Sequence, residues 1–135
     1  MLQKTRGIVL RSVKYGDTSL VCTIFTDMYG VQSYMVQGIR TSGKTKQSRA
    51  GLLQPAMLLD MVVYYKPQAN LQRIKEFQPA YIYHSLQEHV VKNSIALFSV
   101  ELLLRLLPEH ANLPELFDLA YEYFCSLDSE DVNKA

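Results

Sequence analysis

The sequence predicts an α+β protein: five short antiparallel strands that close into a small barrel, followed by helices. Three observations carry that prediction. Apolar residues alternate with period two up to about residue 78 and then recur at helical intervals. Turn residues punctuate the first half at short spacing, as in small all-β units. Charge divides at the same place, with eleven Lys and Arg against four acids in residues 1–79 and three against nine in residues 80–135. Those halves carry +7 and −6 within a chain whose net charge is only +1. A basic first half of this kind suits a polyanionic partner.

GIVLRSVKY opens the β half, with Ile8 and Leu10 on one face and Val9, Val13 and Tyr15 on the other. Apolar residues on both faces predict a strand covered on both sides at its start. Gly16-Asp17 is a turn signal. In LVCTIFTD, Leu20, Cys22 and Ile24 alternate with Val21, Thr23 and Phe25, and Asp27 to Gly30 supplies a hairpin connection. VQSYMVQ sets Val31 and Met35 opposite Tyr34 and Val36. A longer excursion from Gly38 to Pro55 precedes the β-branched and aromatic AMLLDMVVYYK. After a turn at Lys66 to Asn70, LQRIKEF predicts a fifth strand with Leu71, Arg73, Lys75 and Phe77 on one side. Five strands with a long third connection match the OB-fold, a partly open Greek-key barrel that commonly binds single-stranded nucleic acid. Pattern alone leaves an SH3-like barrel equally open.

Beyond Pro79, Leu86, Val90, Ile95, Leu97, Leu102 and Leu106 recur at helical spacing. The stretch from Ile95 to Leu107 is apolar nearly all round, so its helix is buried on several sides or awaits partners. Pro108 ends it. Asn112 stands as an N-cap before Pro114, with Glu115 at the capping-box position. Leu116, Phe117, Ala120, Tyr121 and Phe124 then form one stripe, and DSEDVNKA reads as a frayed polar end. Domain 1–79 is thus a basic OB-fold barrel, and 80–135 is a partial helical domain whose bundle is incomplete.

One string invites another reading. GIRTSGKT, residues 38–45, fits the phosphate-loop pattern G-x-x-x-x-G-K-[ST]. Such a loop must leave a parallel strand and open a helix, yet TKQSRAGLLQP carries Gly51 and Pro55 and leaves little room for one. The next strand begins at Ala56, too soon for a βαβ crossover. MLLD at 57–60 imitates a Walker-B string but lies too close to Lys44 to serve as one. What remains is a loop with Arg40, Lys44, Lys46 and Arg49 and no acid, either a solvated connection or a segment that tracks phosphates. Arg11, Lys14 and Lys66 extend the basic character along the barrel. Single-strand binding also needs rings for bases to stack on. Tyr15 and Tyr34 lie where OB-folds take their ligand; Tyr29, Tyr64 and Tyr65 are further candidates, Tyr64 and Tyr65 pointing to opposite faces.

Other chemistry is sparse. His84 and His89, five apart, fall on different faces of a helix and suit surface or cap roles rather than a metal. Cys22 and Cys125 read as reduced thiols in apolar segments. No nucleophile–base or paired-carboxylate arrangement stands out, so the sequence predicts no enzyme activity, no catalytic residue, no cofactor and no metal. No apolar run reaches membrane-spanning length, and the N-terminus lacks a secretory pattern; the expectation is a cytoplasmic protein with no membrane partner.

Taken together, TRGIVLRSVKYGDTSLVCTIFTDMYG, the GIR…S-R loop leading into LLQP, MLLDMVVYY and LLLRLLPEH…PELFDLAYEYF resemble the N-terminal part of the RecO family of recombinational-repair mediators. The resemblance covers nearly the whole chain. It implies an OB-fold followed by a helical domain, and a nucleoid-associated function without catalysis. It further implies binding to single- and double-stranded DNA, annealing of complementary strands, and help to RecR in loading RecA onto DNA coated by single-strand-binding protein. In that family the acidic tail of single-strand-binding protein docks on the helical region. Family members are usually longer and often carry a cysteine-rich zinc module, so the chain reads as the front part of such a protein. An RNA-binding barrel and a protein-interaction domain built on the apolar helices remain the alternative functions.

Overall fold

The computed structural model describes residues 2–38 and 50–130. Its strands are β1 (Leu2–Tyr15), β2 (Ser19–Thr26), β3 (Gly30–Val36), β4 (Leu58–Tyr64) and β5 (Gln72–Pro79), and its long helices are α1 (Val90–Leu106) and α2 (Pro114–Ser129). The strands close into a barrel in the order β1-β2-β3-β5-β4. Every pairing is antiparallel except β3 with β5. This is the five-stranded barrel with trailing helices that the periodicity predicts, and of the two barrels the pattern leaves open it is the OB-fold that the resemblance implies. The phosphate-loop reading fails on the sheet, because β3 lies in an antiparallel hairpin with β2 and meets β5 only through barrel closure. Lys44 itself and the rest of 39–49 lie outside the described residues.

Two apolar clusters explain why these residues form these elements. Val9, Cys22, Ile24, Tyr34, Leu59 and Val63 fill the barrel, with Leu53 as a plug from the connection before β4. Ile8, Leu10, Phe25, Val31 and Leu58 point the other way and share a second cluster with Ala96, Val100, Phe117 and Phe124 of the helices. The double coverage expected at the start of β1 is therefore real. The edge-to-face contact of Phe25 with Phe117, centroids 5.4 Å apart, is worth about 1 kcal/mol beyond the area it buries.

The predicted faces fail at two places, each a β-bulge. Between Val9 and Arg11 the register of β1 against β2 slips, so Val9 faces the barrel interior while Val13 and Tyr15 face out and are exposed. In β5 the partners step from Val62–Glu76 to Val63–Ile74 and leave Lys75 extra. Phe77 consequently packs with the interior cluster, away from Arg73, although an unbroken strand would set both on one side.

Polar contacts fix the helices to the barrel. Arg6 bonds Asp27 on one side (3.2 Å) and Asp118 of α2 on the other (3.1 Å), its guanidinium 5.2 Å and 5.0 Å from the ring centres of Phe117 and Tyr121. The link between the helices adds a parallel bridge from Glu109 to Val31. Gly30 makes this approach possible: its φ is +67°, and a Cβ there would stand 2.0 Å from the Ala111 carbonyl oxygen.

Helix boundaries also differ from expectation. α1 starts at Val90, capped by His89, and Leu86 is buried in the turn before it. Leu113, with no side-chain cap bond, replaces Asn112 as the cap of α2. Asp128, expected in a frayed tail, is 2% exposed, and its carboxylate accepts the backbone N–H groups of His84, Ser85 and Leu86 at 2.8–3.0 Å. Tyr81 donates a further bond at 3.1 Å. The buried Lys92 ammonium donates to the Asp128 carbonyl at 2.6 Å. The segment leaving the barrel is thus tied to the last turn of α2.

Burial alone would raise the Asp128 pKa, but the N–H groups of His84, Ser85 and Leu86 together with Tyr81 hold it below the ordinary value. A depressed carboxyl stabilises the fold fully above the unfolded pKa of about 3.9 and loses that contribution as pH falls through the lower folded value. Asp128→Asn should cost about 1–3 kcal/mol at pH 7 and flatten the acid limb of stability. Urea melts between neutral and acid pH check this; parallel profiles for the two proteins would contradict it.

Candidate nucleic-acid interface

The registers bring most of the predicted residues that are described to one end of the barrel. Val36 at the end of β3 pairs with Leu20, which pairs in turn with Lys14 beside the β1–β2 turn. Lys14 and Tyr15 are exposed there, Tyr15 to 60%. Met35 pairs with Arg73, and Arg73 with Tyr64. One outward row therefore runs Val13, Val21, Met35, Arg73, Tyr64 around the barrel, a mixed apolar, aromatic and cationic surface.

Lys66 reaches the same end through a residue that sequence reasoning missed. Gln72 is buried beside Tyr34, and its amide both accepts from the Lys66 N–H (2.9 Å) and donates to the Lys66 carbonyl (2.8 Å). That paired contact fixes the β4–β5 turn and leaves the Lys66 side chain exposed. A lone Gln opening a strand carries no signal of this in the sequence. Arg40, Lys44, Lys46 and Arg49 lie outside the described residues; the segment that carries them departs from Gly38 at this end of β3.

Two predicted residues are placed elsewhere. Arg11 is exposed mid-strand, in a groove with Pro55 and with Glu101 and Leu104 of α1. The structure corrects the assignment of Tyr34, which is 0% exposed inside the barrel and has no face for a base. Its phenol pKa is pushed up by burial. Its place on the same strand face as the apolar Val36, two residues on, is the available signal. Tyr29 and Tyr65 are half-buried and stack on one another at 3.8 Å, leaving Tyr15 and Tyr64 as the exposed rings among the five candidates.

The remaining surface has a different character. Lys4 and Arg6 line a groove of about 440 Å³ together with Asp27, Asp60 and Glu76, whose carboxylates oppose phosphate there. Between α1 and α2 runs an apolar groove of about 820 Å³ lined by residues such as Ile95, Phe98, Leu102, Leu106, Leu119 and Tyr123. Among the described residues no three His, Cys, Asp or Glu side chains gather as metal ligands, and no helix is long and apolar enough to cross a membrane. Cys22 and Cys125 are free thiols.

Residues 1–83 match the family described as Recombination protein O N terminal. The chain is 38% identical to the DNA repair protein RecO of Bacteroides fragilis over all its length and 55% of that protein's. It is also 38% identical to the DNA repair protein RecO of Phocaeicola vulgatus, over 87% of this chain and 48% of that one. Identity to the DNA repair protein RecO of Salinibacter ruber is 34%, over 86% and 44%. The chain spans about half the length of these curated relatives.

The Tyr34 hydroxyl, buried near Thr26, makes no hydrogen bond of normal geometry. Tyr34→Phe should therefore change stability by less than about 1 kcal/mol and leave nucleic-acid affinity untouched. A binding titration alongside a urea melt checks both; a severalfold loss of affinity in a stable variant would return Tyr34 to the interface.

Proposed function

The chain belongs to the RecO family, and from that premise we propose that it binds single-stranded DNA at the barrel end described above. The single observation supporting this most directly is the gathering of Lys14, Tyr15, Lys66, Arg73 and Tyr64 where the basic 39–49 segment leaves β3. Cations neutralise the backbone and release counterions, while exposed rings offer sequence-tolerant stacking. No covalent chemistry is required, and the protein acts as a binding factor rather than an enzyme.

In this reading the same surface also binds duplex DNA through its phosphates and holds two single strands for annealing. The family role extends to helping RecR load RecA onto DNA coated by single-strand-binding protein. The apolar groove between α1 and α2 favours a second reading, in which this part of the chain acts as a protein-interaction module.

Fluorescence anisotropy with labelled single strands across a salt series separates the two readings. Replacing Arg40, Lys44, Lys46 and Arg49 together by Ala should weaken binding and lower the log–log salt slope by up to about 2.8, at about 0.7 per phosphate contact. An unchanged affinity and slope would remove the 39–49 segment from the interface. Absence of any DNA binding by the unaltered chain would favour the protein-interaction reading. Matched RNA strands that bind more tightly would instead favour an RNA-binding barrel.

A further inference from the structure

Among the described residues, two pairs, Tyr34 with Gln72 and Met35 with Arg73, join β3 to β5. β3 ends one residue later at Val36, whereas β5 continues to Pro79. At this seam lies a groove of about 290 Å³ whose lining includes Met35, Gln37, Tyr64, Arg73, Lys75 and Phe77. That lining holds two cations and no carboxylate, unlike the larger groove beside Arg6. Among the described residues neither Arg73 nor Lys75 takes part in an ion pair.

The fold builds this juxtaposition rather than leaving it to loose side chains. Lys75 is the extra residue of the β5 bulge, a device that re-aims a side chain while the flanking residues keep their places in the barrel. Ile74 and Phe77 anchor that segment through the interior cluster. Tyr64 is directly across from Arg73, on strands about 4.8 Å apart, and is 39% exposed. A ring, a guanidinium and an ammonium thus border one narrow polar groove on a rigid support.

We propose that this seam groove is a nucleotide subsite selective for single strands. Arg73 and Lys75 hold successive backbone phosphates, and Tyr64 stacks on the base between them. The subsite rests on the DNA-binding reading above and adds a preference to it. A base can lie flat on Tyr64 only after leaving the duplex stack, whereas phosphate contacts alone serve both forms.

The test uses the full chain with oligothymidylate and with a duplex of equal length. Tyr64→Ala, and Tyr64→Leu as a variant that keeps apolar bulk on the barrel, should weaken single-strand binding by about tenfold and change duplex binding less than twofold. Arg73→Ala with Lys75→Ala should lower the single-strand salt slope by about 1.4. Melting curves report whether each variant folds. Photo-crosslinking of the unaltered chain to a strand carrying 5-iododeoxyuridine should map to Tyr64 or Phe77, a readout that needs no variant. Single-strand binding left intact by folded variants would overturn the subsite, as would equal losses on duplex or crosslinks confined to other segments. If the unaltered chain binds neither DNA, the DNA-binding reading itself falls and the subsite with it.

Discussion

The bulge between Val9 and Arg11 lets one strand serve two environments, and the remaining architecture depends on it. Before the bulge β1 is buried on both faces, Val9 in the barrel and Ile8 and Leu10 against the helices. After it, Ser12 turns inward to donate to the Leu53 carbonyl while Val13 and Tyr15 turn to the surface. Without the slip Val13 would follow Val9 inward, and the exposed ring of Tyr15 would follow it. A single unpaired residue therefore separates the half of the strand that holds the fold together from the half available to a partner.

The helices enforce the same division. They cover the barrel where Phe25 and Val31 lie, at the opposite end of β2 and β3 from Leu20 and Val36. Arg6, Gly30 and Asp128 each join helix to barrel by a different means, namely a shared cation, a missing side chain and a cluster of backbone N–H groups. Most acids of the chain belong to this helical part, so their charge is held away from Lys14, Lys66 and Arg73. On the proposed function, this separation of charge steers a polyanion to the barrel end and away from the helices.

Much of this was legible in the residues themselves. The alternation of Leu20, Cys22 and Ile24 against Phe25 names the two sides of β2 correctly, and Pro108 marks the end of α1. The exposed Phe98, Leu102 and Leu106 are the unfilled apolar surface that the all-round pattern of that helix announces. What stayed hidden depends on partners remote in sequence. The two bulges are properties of cross-strand register, which period two within a single strand cannot reveal. Asp128 reads as polar tail because its N–H donors lie more than forty residues earlier. Gln72 fixes Lys66 through a contact that no spacing rule anticipates, and Tyr34 looked like a binding ring because composition alone ignores which face it shares with Val36.

On the proposed function, nucleic acid meets the barrel end and not the helical groove. Amide chemical-shift mapping during titration with a single-stranded oligonucleotide tests it directly. Shifts concentrated at residues 13–19, 35–38 and 64–75, with the amides of α1 and α2 unmoved, are the expected result. Shifts confined to 95–106 and 116–124, around the apolar groove, would contradict it.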